Sequence, residues 1–137
     1  MSNKKAETFD LMLLEAIDET LSTLGESVKK SIYFHLETTY QIQRQQIPCK
    51  IMDFSNSLEK MFGLGARFIE ISIMKRFYPK IKQSCSGVTP KLVFTDFSFT
   101  EYIEFMDKEY HTKRKTEKIE FFIETSNHEI VSERYQK

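Results

Sequence analysis

The stretch Leu24–Pro48, LGESVKKSIYFHLETTYQIQRQQIP, constrains this chain most strongly. It reads as one helix with Gly25 in front of it and Pro48 past its end. Val28, Ile32, His35, Leu36 and Thr39 recur at spacings of three and four and make one stripe; Tyr33, Phe34 and Tyr40 add a second. Lys29 and Lys30 point outward. A helix that is apolar on several sides is a buried helix, so its neighbours are expected to wrap it. The polar run Gln41–Gln46 ends it, and Pro48, which has no N–H to donate, forbids continuation.

The neighbours follow from the same periodicity. A first helix is expected from Glu7 to Leu24, with Phe9, Leu13, Ala16, Ile17, Thr20 and Leu24 on one face, and with Leu11, Leu14 and Leu21 widening it. Asp18 and Glu19 fall on the opposite side, and Gly25 is the stop. Asp53 or Ser55 can cap a third helix carrying Phe54, Leu58, Met61 and Phe62 inward, closed by Gly63. A fourth begins at Leu64 or Gly65 with Ala66, Ile69, Ile73 and Phe77 inside, and Pro79 is expected to stop it. Ser84–Pro90, SCSGVTP, has linker chemistry.

Beyond the linker the character changes. Leu92–Phe94 suits a short strand or an extended tether. Ser98 and Glu101 form a capping box opening a helix whose one face carries Phe99, Tyr102, Ile103, Met106 and Tyr110. The run His111–Lys118 has no apolar residue, and Ile119, Phe122, Ile123 and Ile130 resume out of phase, so a break is expected there; a hairpin turning near Ser126-Asn127 competes with it. The fold class expected is all-α: a compact four-helix domain over 7–82, a linker over 83–91, and a mostly helical C-terminal appendage over 92–137 that admits short strands. Residues 1–83 are expected to fold without the rest, and the stripe from Phe99 to Tyr110 is expected to lie partly uncovered as a self-association surface.

Bulk properties narrow the classes of function. Lys plus Arg number 20 and Asp plus Glu number 20, so the chain lacks the basic excess of a non-specific nucleic-acid binder. Cys49 and Cys85 have neither metal-knuckle nor redox-pair spacing and read as free thiols. MSNKKAET lacks the apolar core of a signal peptide, and no run approaches ~18 apolar residues. The expectation is a cytoplasmic protein with no membrane association.

Candidate chemistry is sparse. His35 and Glu37 invite acid–base work, but His35 lies among Ile32, Leu36 and Thr39 and reads as a packed histidine. His111 and His128 are isolated, and no spacing assembles a metal site. Phe62-Gly-Leu-Gly-Ala66 is a glycine corner rather than a phosphate loop, having no preceding strand and no Walker lysine. Two basic clusters, Lys75, Arg76, Lys80 and Lys82, then Lys113, Arg114, Lys115 and Lys118, read as solvated helix ends, with anion or nucleic-acid contact as the alternative. No paired carboxylates and no serine elbow emerge, so no catalytic residue, no cofactor and no enzymatic activity are assigned.

Several residues in order carry a resemblance: Leu14-Glu-Ala-Ile-Asp-Glu19, Leu24-Gly-Glu26, Ile32-Tyr33, His35-Leu-Glu37, Ile47-Pro48, Phe54, Leu58-Glu59, Phe62-Gly63, Gly65-Ala66, Ile69-Glu70 and Tyr78. Together they resemble the small archaeal output domains of ammonia-oxidising archaea, the Nitrosopumilus output domain family, over residues 10–80. The resemblance implies a helical module in signal transduction or transcriptional control with no established enzymatic activity and no particular ligand. The function expected is therefore a non-enzymatic regulatory or interaction module that acts through a regulatory protein partner or as a dimer. A nucleic-acid-associated regulator using the basic helix ends is the alternative.

Overall fold

The structure is a computed structural model that describes residues 8–84 and 97–113. Its elements are α1 (Thr8–Ser22), α2 (Glu26–Tyr40), a 3-10 helix (Arg44–Lys50), α3 (Ile51–Phe62) and α4 (Gly65–Ser84), followed by α5 over 99–113. The all-α class holds, with no strand among the described residues. The expected strand at Leu92–Phe94, most of the linker over 83–91, the hairpin near Ser126-Asn127, and Arg114, Lys115 and Lys118 lie outside the described residues.

The core is organised around α1 and α4 rather than α2. From α1, Phe9, Leu13, Leu14, Ala16, Ile17 and Leu21 are buried; from α4, Ala66, Ile69, Ile73, Met74, Phe77 and Ile81 meet them. The rings of Phe9 and Phe77 stand edge to face at 5.1 Å. Across the outside of this pair Lys80 Nζ donates to Glu19 at 2.9 Å and to Glu15 at 3.3 Å. In contrast, α2 buries only Ile32 and Leu36 fully. Val28 and Phe34 remain exposed, Phe34 at 63%. The expectation of a wrapped α2 is thus corrected: its apolar residues are spread around the helix, and α1 covers only one side.

What holds α2 is polar as well as apolar. Tyr33 Oη and Arg44 both donate to the Asp18 carboxylate, Arg44 Nε at 3.1 Å, so α1, α2 and the 3-10 helix share one half-buried acid. Gln41, in the left-handed conformation at φ 55°, ends α2 after Tyr40. The connection after α2 delivers Ile42 to the core, and the 3-10 helix delivers Ile47. It runs directly into α3 at Ile51, so neither Asp53 nor Ser55 caps that helix.

Pro79 does not stop α4; the helix continues to Ser84. Pro79 and Lys75 are both exposed. Pro79 has no N–H to give the Lys75 carbonyl, and the helix continues past it where both residues are exposed. The core also does not end at residue 82. Phe99, Tyr102, Ile103, Met106 and Tyr110 are each at most 4% exposed and belong to the same apolar cluster as the four preceding helices. Phe99 lies 6.1 Å from Phe54 and Tyr110 5.7 Å from Phe9, ring to ring.

Candidate functional site

The corner between α3 and α4 is where α5 arrives, and it encloses a cleft of about 440 Å³. Its geometry starts at Gly63, whose φ of 58° closes α3 and whose N–H bonds to the Glu59 carbonyl at 2.7 Å. A side chain at that φ would be strained. The reversal places the first turns of α4 beside α3. Ser55 Oγ then donates to Glu70 Oε2 at 2.6 Å, joining the two helices. Arg67 Nη2 donates to the Phe97 carbonyl at 2.7 Å, pinning the entry to α5 against α4. The capping box expected at Ser98 and Glu101 forms: Ser98 N–H bonds to Glu101 Oε1 at 3.0 Å, and Glu101 N–H to Ser98 Oγ at 3.1 Å.

Glu70 is the charged residue that this arrangement buries, at 7% exposure. Burial pushes its carboxyl above the ordinary glutamate range. The Ser55 hydrogen bond and the Arg67 charge oppose that shift, and the Glu59 charge adds to it. The periodicity carried a signal for it: Ala66, Glu70, Ile73 and Phe77 step by four, three and four, so an acid occupies a position on the inner stripe. Nothing local in the sequence pointed to Ser55 or Phe97 as its surroundings, because Ser55 lies 15 residues from Glu70 and Phe97 lies 30 residues from Arg67, to which it is hydrogen-bonded.

A second depression of about 520 Å³ lies between α2 and the end of α3, with Val28, Ile32, Thr39, Met61 and Phe62 in its walls. His35 is on its rim and exposed, which corrects the packed reading; its ring neighbours Phe34 at 6.0 Å. The five residues from Phe99 to Tyr110, expected as a partly uncovered contact stripe, face the chain's own core instead. Their docking partners are Phe54 and Phe9 from the bundle, which a sequence cannot place opposite them.

The first basic cluster divides. Lys75, Arg76 and Lys82 are exposed, and the spacing of seven puts Lys75 and Lys82 on one outer line of α4. Lys80 is turned to α1 and held charged by the Glu19 hydrogen bond first and then by Glu15, against some desolvation. Lys113 ends α5, half-exposed, and its companions Arg114 and Lys115 lie outside the described residues. The same outer line carries Phe68, 75% exposed, near the start of α4, and Leu64, 92% exposed, in the turn just before it. Cys49 is an exposed free thiol. Among the described residues, no group of three or more His, Cys, Asp or Glu is placed to hold a metal ion, and no helix is long and apolar enough to cross a membrane. No protein-family model matches the chain, and neither the curated proteins nor the solved structures contain a significant match.

Proposed function

We propose that this chain is a non-enzymatic regulatory module, of the kind used in archaeal signal transduction or transcriptional control, that docks a partner protein on the outer face of α4. The observation that carries the reading is the composition of that face. Leu64 and Phe68 stand in solvent one turn apart, followed by Lys75 and Lys82 on the same line, with Arg76 beside it. The acidic residue of α4, Glu70, is on the opposite, buried side. A large aromatic left 75% exposed beside a leucine at 92% is the signature of a contact surface rather than of a solvated helix. The charge pattern selects the occupant: an amphipathic acidic segment of another protein, whose apolar residues cover Leu64 and Phe68 while its carboxylates meet the lysines. Three exposed cations on this face of a neutral chain are few for phosphate-driven binding, so protein is favoured over nucleic acid.

The test uses the full chain and two surface variants that leave the core untouched, Phe68→Glu and Lys75→Glu. A protein retained from native extract should be purified and titrated against each. Direct binding that weakens at least about tenfold with Phe68→Glu, and that weakens with Lys75→Glu in a salt-dependent way, supports the reading. The reading fails if the wild-type chain retains nothing beyond the Phe68→Glu bait. It fails equally if the chain binds duplex DNA with a steep salt dependence that Phe68→Glu leaves unchanged, which is the nucleic-acid alternative.

A further inference from the structure

We propose that the cleft at the α3–α4–α5 junction is a binding site for a small organic cation, an ammonium group carried on an apolar body. This inference stands apart from the docking face on α4 and does not depend on it. The argument starts from hydrogen-bonding capacity. A carboxylate has two oxygens with room for about four hydrogen bonds, and Glu70 uses one of them, from Ser55 to Oε2. Oε1 accepts none among the described residues, although the side chain is more than nine-tenths buried and its remaining exposure opens on the cleft. Oε1 is not sealed from the cleft, so its donors come from whatever fills the cleft, water or a ligand.

The rest of the lining defines what would fit. Glu59 lines the same cleft and is exposed, so among the described lining residues the carboxylates outnumber the one cation, Arg67, which already donates to the Phe97 carbonyl. Several first-turn donors are occupied: Ala66 N–H bonds to the Gly63 carbonyl, Arg67 N–H to the Leu64 carbonyl, and Glu101 N–H to Ser98 Oγ. With two carboxylates and one guanidinium among its described lining residues, the cleft suits an ammonium better than an anion. Phe97, half-buried, provides an apolar wall for the body of the ligand. A volume of about 440 Å³ is in the range of small-molecule sites.

Three probes with one body and different heads decide the question on the full-length, isotope-labelled protein: 2-phenylethylammonium chloride, neutral 2-phenylethanol and sodium 3-phenylpropanoate. Saturable amide shifts at Ser55, Glu70 and Ser98 are expected with the ammonium alone. Glu70→Gln should weaken that binding by about tenfold or more, as expected for loss of a charge-assisted hydrogen bond. Glu59→Gln, at an exposed position with no folding role, should weaken it by less. Equal shifts with the neutral or anionic probe would overturn the proposal, since the cleft would then be an unselective apolar dent. Absence of shifts with the ammonium at millimolar concentration would overturn it too, as would binding unaltered in both variants.

Discussion

Cutting the chain after Ser84 should destroy the fold, although the linker chemistry of Ser84–Pro90 invites that cut. The truncation removes Phe99, Tyr102, Ile103, Met106 and Tyr110, all at most 4% exposed in the intact molecule. Burial of a side chain of this size contributes ~1.5–3 kcal/mol, so five contribute roughly 8–15 kcal/mol. That is as large as the whole net stability of a typical domain, about 5–15 kcal/mol. The loss is compounded because Phe54 and Phe9, which meet Phe99 and Tyr110, are left facing water. A fragment of residues 1–84 should keep far-ultraviolet helical signal, lose its near-ultraviolet bands, bind a hydrophobic dye and melt without cooperativity. In the full-length chain, Phe99→Ala should cost about 3–5 kcal/mol in chemical denaturation. Phe68→Ala, the same chemical change at a 75% exposed site, should stay within about 0.5 kcal/mol of wild type. A cooperative melt of residues 1–84 within a few degrees of the full chain would refute the reasoning, and so would equal costs for the two phenylalanines.

Two further outcomes are expected. Thr20 is 2% exposed and its Oγ1 has no hydrogen-bond partner among the described residues, so Thr20→Val, which keeps the shape and removes the orphan hydroxyl, should stabilise the protein by about 1 kcal/mol and raise Tm by ~3–6 °C; a lower Tm would show that the hydroxyl is satisfied. For Asp18, burial acts to raise the carboxyl pKa, but the hydrogen bonds from Arg44 and Tyr33 outweigh it and hold the group below the ordinary value of 3.8. The stability it contributes is therefore fully present above that value and is lost as pH falls through its lowered folded-state pKa. Asp18→Ala should cost about 1–2 kcal/mol at neutral pH, allowing for solvent screening at the half-exposed Arg44, and this difference should vanish in strong acid; a cost unchanged down to acid pH would contradict the assignment.

Much of the local architecture was legible in the sequence, because it depends on near neighbours. Gly63 marks the end of α3 through a backbone conformation that only nearby residues influence, whereas α1 ends earlier than expected, at Ser22, and Gly25 instead precedes α2 as its N-cap. The capping box at Ser98 and Glu101 is a contact over three residues, and it formed as its spacing predicts. The inner stripes of α1 and α4 follow from the 3.6-residue period, which ties burial to position along one helix.

Tertiary structure decided which apolar stripe is covered and by what. Val28, Phe34 and Phe68 have the same chemistry as Ile32, Leu36 and Phe77, yet the first three are exposed and the second three buried. The α5 stripe looked like a surface for another molecule until Phe54 and Phe9 were placed against it. The cleft around Glu70 is likewise assembled from three helices, with partners far apart along the chain. Periodicity reports only that a helix has a face to bury. Which surface meets that face is settled by the collective packing of all the helices, where a cluster of aromatics docks on the partner that excludes the most water.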